Sequence, residues 1–558
     1  MLESHIHSKT YRSGLSSVLK KYKRSIEGHV SKDKTHNPSM VYANNYLNYG
    51  ELKVIGFDLD YTLVNYTVEL QNLIYSLAQE VLINKFGYPQ DLNSFKFDPK
   101  FAIRGLSVDA RYGVLSKLSH LQRMATNRSY RGKTPLSPKD MEAFYGDRHV
   151  PHGDLSQMRP LNDLFSVAEG CLIADTMELF LHRQRTTAES FVASSIVDDV
   201  QQAISEVHIN GSMQTAVLSD PERYIKKSPQ LGGLLEHVQQ SGKQSFLCTN
   251  SGYTYSNQAL NHALGLKPTS VEWRGLFDVV ICSAKKPDFY KTRLPFRHFD
   301  TVRRSPTTSP VNKLEKGNVY VYGSADALQR ATGWSGNEVM YLGDNLRADL
   351  SEARRWHGWH TGCVLGELEE EITTQHKPEC QELHFLRSTL RNMMFDLQAE
   401  MQRPQVQADS DDEEGVVGTA APLGCAYPDS CHNIDANSCS SLPSSDPNTF
   451  LTETLKPCAA VDCLKPGQHY QPQEEILLRT IEGELQAINT QLSKLFNPNF
   501  GSVFRTDGHP SLFAFSVLRY VDLYMSDVCN LVNYNPLHRF YPYHSMHMAH
   551  DPASLSGR

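Results

Sequence analysis

Short apolar runs alternate along this chain with segments whose apolar residues recur at helical spacing. The run 52–57 comes first, and the residues that repeat at helical spacing after it are Leu70, Ile74, Leu77, Val81 and Leu82. Further apolar runs lie at 245–248, 277–282, 319–322, 338–342 and 360–365. Because strands that alternate with helices usually pair in parallel, this pattern predicts a doubly wound α/β core with a parallel sheet.

One long segment interrupts this alternation. Residues 108–215 contain a polar, basic stretch (123–139) and then two runs with helical periodicity, 161–182 and 191–208. We therefore predict an inserted, mainly helical cap over residues 108–215. The α/β core would then comprise residues 49–107 and 216–395, with the cap above the ends of its strands.

The flanking segments differ from the core in composition. Residues 1–48 are basic and rich in serine, which predicts a disordered tail, or alternatively a mitochondrial transit segment. Residues 402–472 are acidic, then rich in Ser, Pro and Cys, and predict a disordered insertion; an ordered metal knuckle is the alternative. Residues 475–495 have clean helical periodicity, so 475–550 is predicted to be a C-terminal helical segment that packs on the core.

Composition and charge narrow the classes of function. The formal net charge is −7, from 55 Lys and Arg against 62 Asp and Glu, so we expect no nucleic-acid partner, because such proteins usually carry a basic excess. No apolar stretch approaches the roughly 20 residues of a membrane helix, and we expect no membrane segment. The 11 cysteines include no close CxxC pair, which favours reduced thiols and a cytoplasmic location.

Four of the apolar runs are followed by polar residues of the kinds that handle phosphate. Because ligands bind beyond the carboxyl ends of parallel strands, these residues are predicted to lie close together. In chain order the candidates are Asp58, Asp60 and Thr62, then Thr249 and Asn250, then Lys286, and finally Asp344 and Asp349.

Each residue type has a role if the substrate is a phosphate ester. Asp58 would attack phosphorus, and Asp60 would act as the general acid and base. A carboxylate can approach a phosphoryl group only if their repulsion is neutralised, and oxygen ligands suit Mg²⁺. We predict Mg²⁺ on Asp58, Asp344 and the backbone carbonyl of Asp60.

The remaining candidates would bind the phosphoryl oxygens or support the groups that do. Thr249 and Asn250 offer hydrogen-bond donors to the phosphate, and Lys286 offers a positive charge. Asp349 and Thr62 would lie behind these groups and hold them in place.

The spacing of these motifs resembles that of the haloacid dehalogenase superfamily of phosphatases, whose core is Rossmann-like. More narrowly, the chain resembles the cytosolic purine 5′-nucleotidase family and its 5′-nucleotidase domain-containing relatives. The stretches that carry the resemblance are 56–63, 87–90, 103–106, 249–251, 286–290, 341–345 and 501–505. The resemblance implies a magnesium-dependent homo-oligomeric hydrolase that removes the 5′-phosphate of purine nucleotides such as IMP and GMP.

The cap departs from the family pattern. The family's nucleotide-gripping helix carries an Arg and an Asp, whereas this chain has Gln201 and Ser205 at the matching positions. Ile209 replaces a Tyr, and only His208 is retained. His208 and Gln201 are therefore the candidate substrate contacts of the cap, and a neutral amide cannot make the bidentate contacts of a guanidinium.

Two other functions fit the same residues. A catalytically weak or inactive scaffold could use the altered cap and the acidic insertion to bind partners. A nucleoside phosphotransferase would share the aspartyl-phosphate with the hydrolase. The leading hypothesis is a phosphomonoester hydrolase that acts on a small-molecule nucleotide or another phosphate ester.

Overall fold

The computed structural model describes residues 37–146, 148–150, 154–401 and 472–542. The predictions for residues 1–36 and 402–471 fall outside these ranges. Within them, the strands are β1 (Val41–Ala43), β2 (Leu47–Asn48), β3 (Val54–Phe57), β4 (Leu106–Asp109), β5 (Val114–Leu118), β6 (Met124–Arg131), β7 (Thr134–Pro135), β8 (Met158–Leu161), β9 (Gln244–Cys248), β10 (Val279–Cys282), β11 (Phe296–Asp300), β12 (Ser305–Val311), β13 (Val319–Tyr322), β14 (Val339–Gly343), β15 (His360–Val364), β16 (Arg505–Thr506), β17 (His509–Pro510), β18 (Leu523–Met525) and β19 (Arg539–Phe540).

The described helices follow the same order along the chain. They are α1 (Val68–Asn84), α2 (Pro138–Tyr145), α3 (Ser166–Thr187), α4 (Ala193–Ile209), α5 (Ser212–Ser219), α6 (Pro221–Tyr224), α7 (Pro229–Gln240), α8 (Tyr253–Ala263), α9 (Asp288–Lys291), α10 (Ala325–Thr332), α11 (Glu352–His357), α12 (Leu368–Gln375), α13 (Pro378–Met401), α14 (Pro472–Lys494) and α15 (Leu512–Tyr520). Across the described ranges, none of them is both long and apolar enough to cross a membrane.

The chain divides into two compact units, one of residues 1–389 with 485–558 and one of residues 390–484. The described part of the second unit is helical, from the end of α13 and the start of α14. The first unit contains the central sheet and the candidate site.

A ten-stranded sheet forms the centre of the first unit. Its order is β1-β18-β15-β14-β3-β9-β10-β13-β11-β12. The seven strands from β18 to β13 run parallel to one another. At the two ends of the sheet the pairs β1–β18, β13–β11 and β11–β12 are antiparallel. The predicted doubly wound parallel α/β fold is confirmed.

Both faces of the sheet are buried at its central strands, which explains why β3, β10 and β14 are apolar throughout. In β3, Ile55 and Phe57 join one hydrophobic cluster and Val54 joins another, as expected for side chains that alternate between faces. A Cβ on Gly56 would lie 2.2 Å from the ring of Phe246, so a glycine is needed at this position. This close contact packs β3 against β9, the two strands that end in Asp58 and Thr249.

The inserted segment has the predicted helices α3 and α4, but it also contains a sheet that the pattern did not predict. Strands β7-β6-β5-β4-β8 form a five-stranded antiparallel sheet over residues 106–161. All residues of β5 are buried, including Ser116 and Lys117. The Ser116 hydroxyl bonds that of Ser129 at 2.7 Å, and the Lys117 ammonium donates to the Phe500 and Ser502 carbonyls. These satisfied polar residues break the alternation by which a strand is recognised.

The two ends of the described chain also differ from the prediction. Residues 41–43, placed in the disordered tail, form β1, and the C-terminal segment contributes β18 beside it. Strand β18 extends the parallel sheet from β15, so this segment is not only helical. Strands of two or three residues carry too little periodicity to be recognised from sequence.

Asp522, which precedes β18, connects the segments around β1 and β18 with β15. Its carboxylate accepts hydrogen bonds from Arg354 Nη1 (2.6 Å), Asn45 Nδ2 (3.0 Å) and the Thr361 amide (3.0 Å). His360 Nδ1 lies 3.3 Å away. Burial alone would raise the pKa of Asp522, but the bonds from His360 and Arg354 outweigh it, and the pKa is lowered.

We expect Asp522→Asn to lower the free energy of unfolding by about 2–3 kcal/mol at pH 7, because hydrogen bonds to a buried charge are lost. A carboxyl with a lowered folded pKa stabilises above its unfolded pKa of about 3.9. The difference between wild type and variant should therefore be complete at neutral pH and disappear as the pH falls below about 4. Urea denaturation at several pH values measures it. Glu222→Gln, which removes an exposed ion pair with Lys227, is the control and should change stability little.

Candidate active site

Four neighbouring parallel strands end at one place. Asp58 follows β3, Thr249 follows β9, Asp344 follows β14, and Lys286 lies four residues beyond the end of β10. The structure therefore brings together the residues that the sequence separates. The side chains of these four residues are buried, so their charges interact in a medium of low polarity.

The ammonium group of Lys286 connects Asp58, which follows β3, with Asp349, which follows β14. Its Nζ donates to Asp58 Oδ1 and to Asp349 Oδ1, both at 2.6 Å, and to the Tyr341 hydroxyl at 2.9 Å. Burial alone would lower the pKa of Lys286, but the charges of Asp349 and Asp58 outweigh it and hold this pKa above its usual value. Lys286 is therefore charged throughout the neutral range.

Asp349 is placed by a short π-helix, Leu346–Ser351, that follows β14. Its Oδ2 accepts a hydrogen bond from the Asn345 amide at 3.1 Å, so both of its oxygens have protein partners. A Cβ on Gly343 would lie 2.6 Å from the Asp349 Cβ, so the glycine makes room for this carboxylate. Burial and the charge of Asp58 raise the pKa of Asp349. Asp349 thus lies behind Lys286, in the supporting place predicted for it.

Asp344 has a buried carboxylate oxygen that lacks a hydrogen bond among the described residues. Among the described residues, its Oδ2 is buried and accepts none, and the closest cation is Arg104 Nη1 at 3.8 Å. Burial and the charge of Asp349 raise the pKa of Asp344 well above its usual value, although Arg104 opposes this rise. A second cation beside Asp344 would relieve the same electrostatic penalty.

The donor set fits a hard divalent cation. Carboxylate oxygens of Asp58, Asp344 and Asp349 lie within 4.8 Å of one another. Since both oxygens of Asp349 already accept hydrogen bonds, Asp58 and Asp344 are the side chains with an oxygen left to offer. Oxygen ligands of this kind suit Mg²⁺. Thr62 is also buried, and its hydroxyl has no hydrogen-bond partner within the described ranges.

Asp60 is held in place by two hydroxyl groups. Tyr66 donates a short hydrogen bond to Asp60 Oδ1, and Ser251 donates to Oδ2 at 2.7 Å. The Tyr66 hydroxyl is in turn 2.9 Å from that of Tyr255. Burial and the charge of Asp58 raise the pKa of Asp60, whereas the bonds from Tyr66 and Ser251 oppose the rise. A carboxyl with a raised pKa is suited to donate and accept protons near neutral pH.

The two phosphate-binding candidates after β9 are placed differently from each other. Thr249 Oγ1 accepts a hydrogen bond from the Ser251 amide at 3.0 Å, and its own proton can be donated to a ligand. The Asn250 side chain bonds both backbone atoms of Lys286, with its Nδ2 3.0 Å from the carbonyl and its Oδ1 2.6 Å from the amide. Asn250 therefore fixes the Lys286 loop, and one N–H of its Nδ2 is left over.

The cap candidates are His208 and Gln201, and three aromatic residues, Tyr61, Tyr66 and Phe165, form an aromatic wall beside His208. Phe165 contacts Tyr61 (4.9 Å between ring centroids) and Tyr66 (6.4 Å), and the His208 ring meets Phe165 edge-on at 5.3 Å. His208 Nδ1 donates to the Ile204 carbonyl at 2.8 Å, whereas its Nε2 is buried without a partner among the described residues. Gln201 Oε1 accepts a hydrogen bond from Arg159 Nη1 at 2.8 Å.

The sequence did not indicate Tyr66 or Arg159, and Ser251, Tyr341 and Arg104 stood only within the motifs that carry the family resemblance. Ser251 directly follows Asn250, so its position at the strand end was a usable signal. The others reach the site from a loop, from within β14 and from the inserted sheet. No spacing in the sequence indicates those contacts.

Comparison with known proteins identifies the family of this chain. The family model described as the 5′ nucleotidase family matches residues 41–553. A 5′-nucleotidase domain-containing protein of Dictyostelium discoideum is 30% identical over 533 residues, covering 95% of this chain and 78% of its own length. 5′-Nucleotidase domain-containing protein 2 of rat and of human are each 30% identical over 515 residues, which is 91% of this chain and 79% and 84% of theirs.

Two solved structures are more distant. CbbY of Rhodobacter sphaeroides, in complex with phosphate, has a TM-score of 0.22 at 12% identity and covers 56% of this chain and 87% of its own. L-2-haloacid dehalogenase of Xanthobacter autotrophicus has a TM-score of 0.19 at 13% identity, with coverages of 58% and 81%. These scores are too low to support an argument about activity. The match over residues 41–553 and the curated relatives confirm the predicted family and its class of enzyme, the phosphomonoesterases: this chain belongs to the 5′ nucleotidase family.

Proposed function

We propose that this protein is a magnesium-dependent phosphomonoester hydrolase that removes the 5′-phosphate of nucleoside monophosphates, purine nucleotides among them. One observation supports this most directly. Lys286 bonds Asp58 and Asp349 at 2.6 Å, beside the unpartnered carboxylate oxygen of Asp344. The site thus combines a nucleophile, a fixed positive charge and an open cation ligand around one point.

The first half of the reaction forms an aspartyl-phosphate. An oxygen of Asp58 attacks phosphorus as the bond between phosphorus and the ester oxygen breaks, and Asp60 gives its proton to the departing oxygen. Mg²⁺ held by Asp58 and Asp344, when bound, neutralises negative charge on the phosphoryl group. Lys286 and the Thr249 hydroxyl stabilise the charge on the same oxygens.

The second half regenerates the enzyme. Asp60, now ionised, takes a proton from a water molecule that attacks the same phosphorus, the bond to Asp58 breaks, and inorganic phosphate leaves. Asp60 is therefore protonated again at the end of the cycle. Tyr66 and Ser251 fix its carboxylate during both proton transfers.

The nucleophile is tested by Asp58→Asn. We expect kcat for nucleoside monophosphates to fall by at least about a thousandfold, because an amide cannot form the covalent intermediate. Phosphate release at saturating Mg²⁺ measures it. Asp91→Asn, which removes an exposed partner of Arg183 on the cap, is the matched control and should keep its activity. If Asp58→Asn retained a tenth of the activity, the covalent route would be wrong.

The metal site is tested through Asp344. Phosphate release should stop when EDTA is present and return with added Mg²⁺. We expect Asp344→Asn to raise the Mg²⁺ concentration needed for half-maximal activity at least about tenfold, since a charged ligand is lost. Titration of the protein with Mg²⁺ by calorimetry gives the same comparison without turnover. An unchanged affinity would show that Asp344 is not a ligand of the cation. Asp326→Asn, which removes an ion pair with Arg293 on the surface, is the control.

The proton donor is tested by Tyr66→Phe. The Tyr66 hydroxyl lowers the pKa of Asp60 by stabilising its ionised form, so its removal should raise that pKa. The limb of the pH profile of kcat that Asp60 governs should move to higher pH, whether Asp60 limits the rate as an acid or as a base. Tyr255→Phe removes a hydroxyl that reaches Asp60 only through Tyr66 and should move the limb less. Equal shifts in the two variants would contradict this role.

A further inference from the structure

A series of aromatic contacts connects the site with the cap. Tyr66, which bonds Asp60, contacts Phe165, and Phe165 contacts His208 on α4. These contacts connect the end of α4 with Asp60, the residue proposed to protonate the departing ester oxygen. An aromatic wall of this kind favours a planar ring in the leaving group.

Helical spacing continues this surface along α4. Residues 201, 205 and 208 share one face of the helix, because they are four and three positions apart. At 1.5 Å per residue, Gln201 lies about 10 Å farther along the axis than His208. A leaving group that extends along this face from His208 would meet Gln201.

A guanidinium group is fixed at this distance. Arg159, from β8 of the inserted sheet, donates to Gln201 Oε1 through Nη1 at 2.8 Å and to an Asp198 oxygen through Nη2 in a short bond. Gln201 and Asp198 are one helical turn apart on α4. The two bonds hold the plane of the Arg159 side chain against the same face of the helix.

A second contact joins the segment that carries Arg159 to the site. Asp163, four residues after Arg159, accepts a hydrogen bond on its Oδ2 at 3.3 Å from Asn345, the residue after Asp344. Burial and the charge of Asp163 raise the pKa of Glu169 to about 7, and the charge of Arg159 opposes this rise. The segment 159–163 is thus connected to the loop that follows β14.

The contacts leave Arg159 with donors to spare. A guanidinium has five N–H groups, and two are used by Gln201 and Asp198. The rest form a rigid, planar set that pairs with two acceptors on one edge of a ligand, such as a carbonyl oxygen and a ring nitrogen. Lys, with a single ammonium, cannot reproduce this geometry.

We propose that Arg159 is a specificity-determining residue, which binds the acceptor-bearing edge of the leaving-group base, with Asp198 and Gln201 holding its guanidinium in place. The inference rests on the proposed function, because it assigns the far end of the same substrate site. In this chain the inserted sheet, rather than helix α4, supplies the guanidinium at that end.

The test compares two substrates that share the phosphate and ribose and differ in the base. We expect Arg159→Ala to lower the ratio of kcat/KM for inosine 5′-monophosphate to that for ribose 5-phosphate about 10- to 100-fold, mainly through KM. Arg159→Lys should lower the ratio as well. Arg183→Ala is the matched control, since Arg183 is a similarly half-buried cap arginine paired with Asp91 and Glu189, and it should leave the ratio unchanged.

A rescue separates recognition from a structural effect. Arg159→Gln combined with Gln201→Arg moves the guanidinium to α4, and it should restore the ratio toward that of the wild type. The proposal is overturned if Arg159→Ala changes the ratio less than twofold, or no more than Arg183→Ala does. It is also overturned if the wild type cleaves ribose 5-phosphate and no nucleotide, an outcome that leaves the phosphomonoesterase intact.

Binding tests the contact without turnover. Calorimetry on Asp58→Asn with Mg²⁺ should detect inosine 5′-monophosphate, and Asp58→Asn/Arg159→Ala should bind it at least about tenfold more weakly. If the wild type hydrolyses no phosphate ester, the proposed function fails, and this pair of affinities still decides the role of Arg159. Equal affinities, or no binding to Asp58→Asn, would overturn it.

Discussion

The hydrogen bonds of the buried Lys286 ammonium group determine how the residues of this site are arranged. Lys286 Nζ contacts Asp58, Asp349 and Tyr341 within 2.9 Å, and each lies on or beyond a different part of the sheet. A buried charge is costly unless it is paired and hydrogen-bonded, so the fold must bring Lys286 and its three partners into contact. The parallel order of β14, β3, β9 and β10 is what brings their carboxyl ends to one point.

The charge balance around Lys286 explains the rest of the site. Asp58, Asp344 and Asp349 are buried carboxyls and Asp60 is a partly buried one, whereas Lys286 and Arg104 are the cations that contact this group, and Arg104 also pairs with Glu367. Burial and, after it, the charge of a neighbouring carboxylate raise the pKa values of Asp60, Asp344 and Asp349. A divalent cation would remove this excess of acid, and a proton on Asp60 reduces it.

The sequence allowed the centre of this arrangement to be predicted because its logic is local. A strand end is marked by an apolar run that stops at a charged residue, and parallel strands bring such ends together whatever their separation in the chain. Asp58, Thr249, Lys286 and Asp344 were therefore found before the structure.

What could not be predicted depends on tertiary contacts. Tyr341 lies within the apolar strand β14, where it resembles any other core residue, and Tyr66 is one aromatic residue among many. The inserted sheet escaped notice because Ser116 and Lys117 are buried with their partners in place, so its strands do not alternate in polarity. Arg159 lies on that sheet, and its contact with Gln201 became visible only when the sheet was placed.

The pairing of β1 with β18 has a consequence for how the protein is made. Val41 lies opposite Met525, so β1, the first described strand, has no partner until β18, one of the last, has been made, and β18 in turn pairs with β15. A ribosome must therefore finish nearly the whole described chain before this edge of the sheet can close. Until then the nascent polypeptide exposes the open side of β15, which is where we expect chaperones to be needed during synthesis.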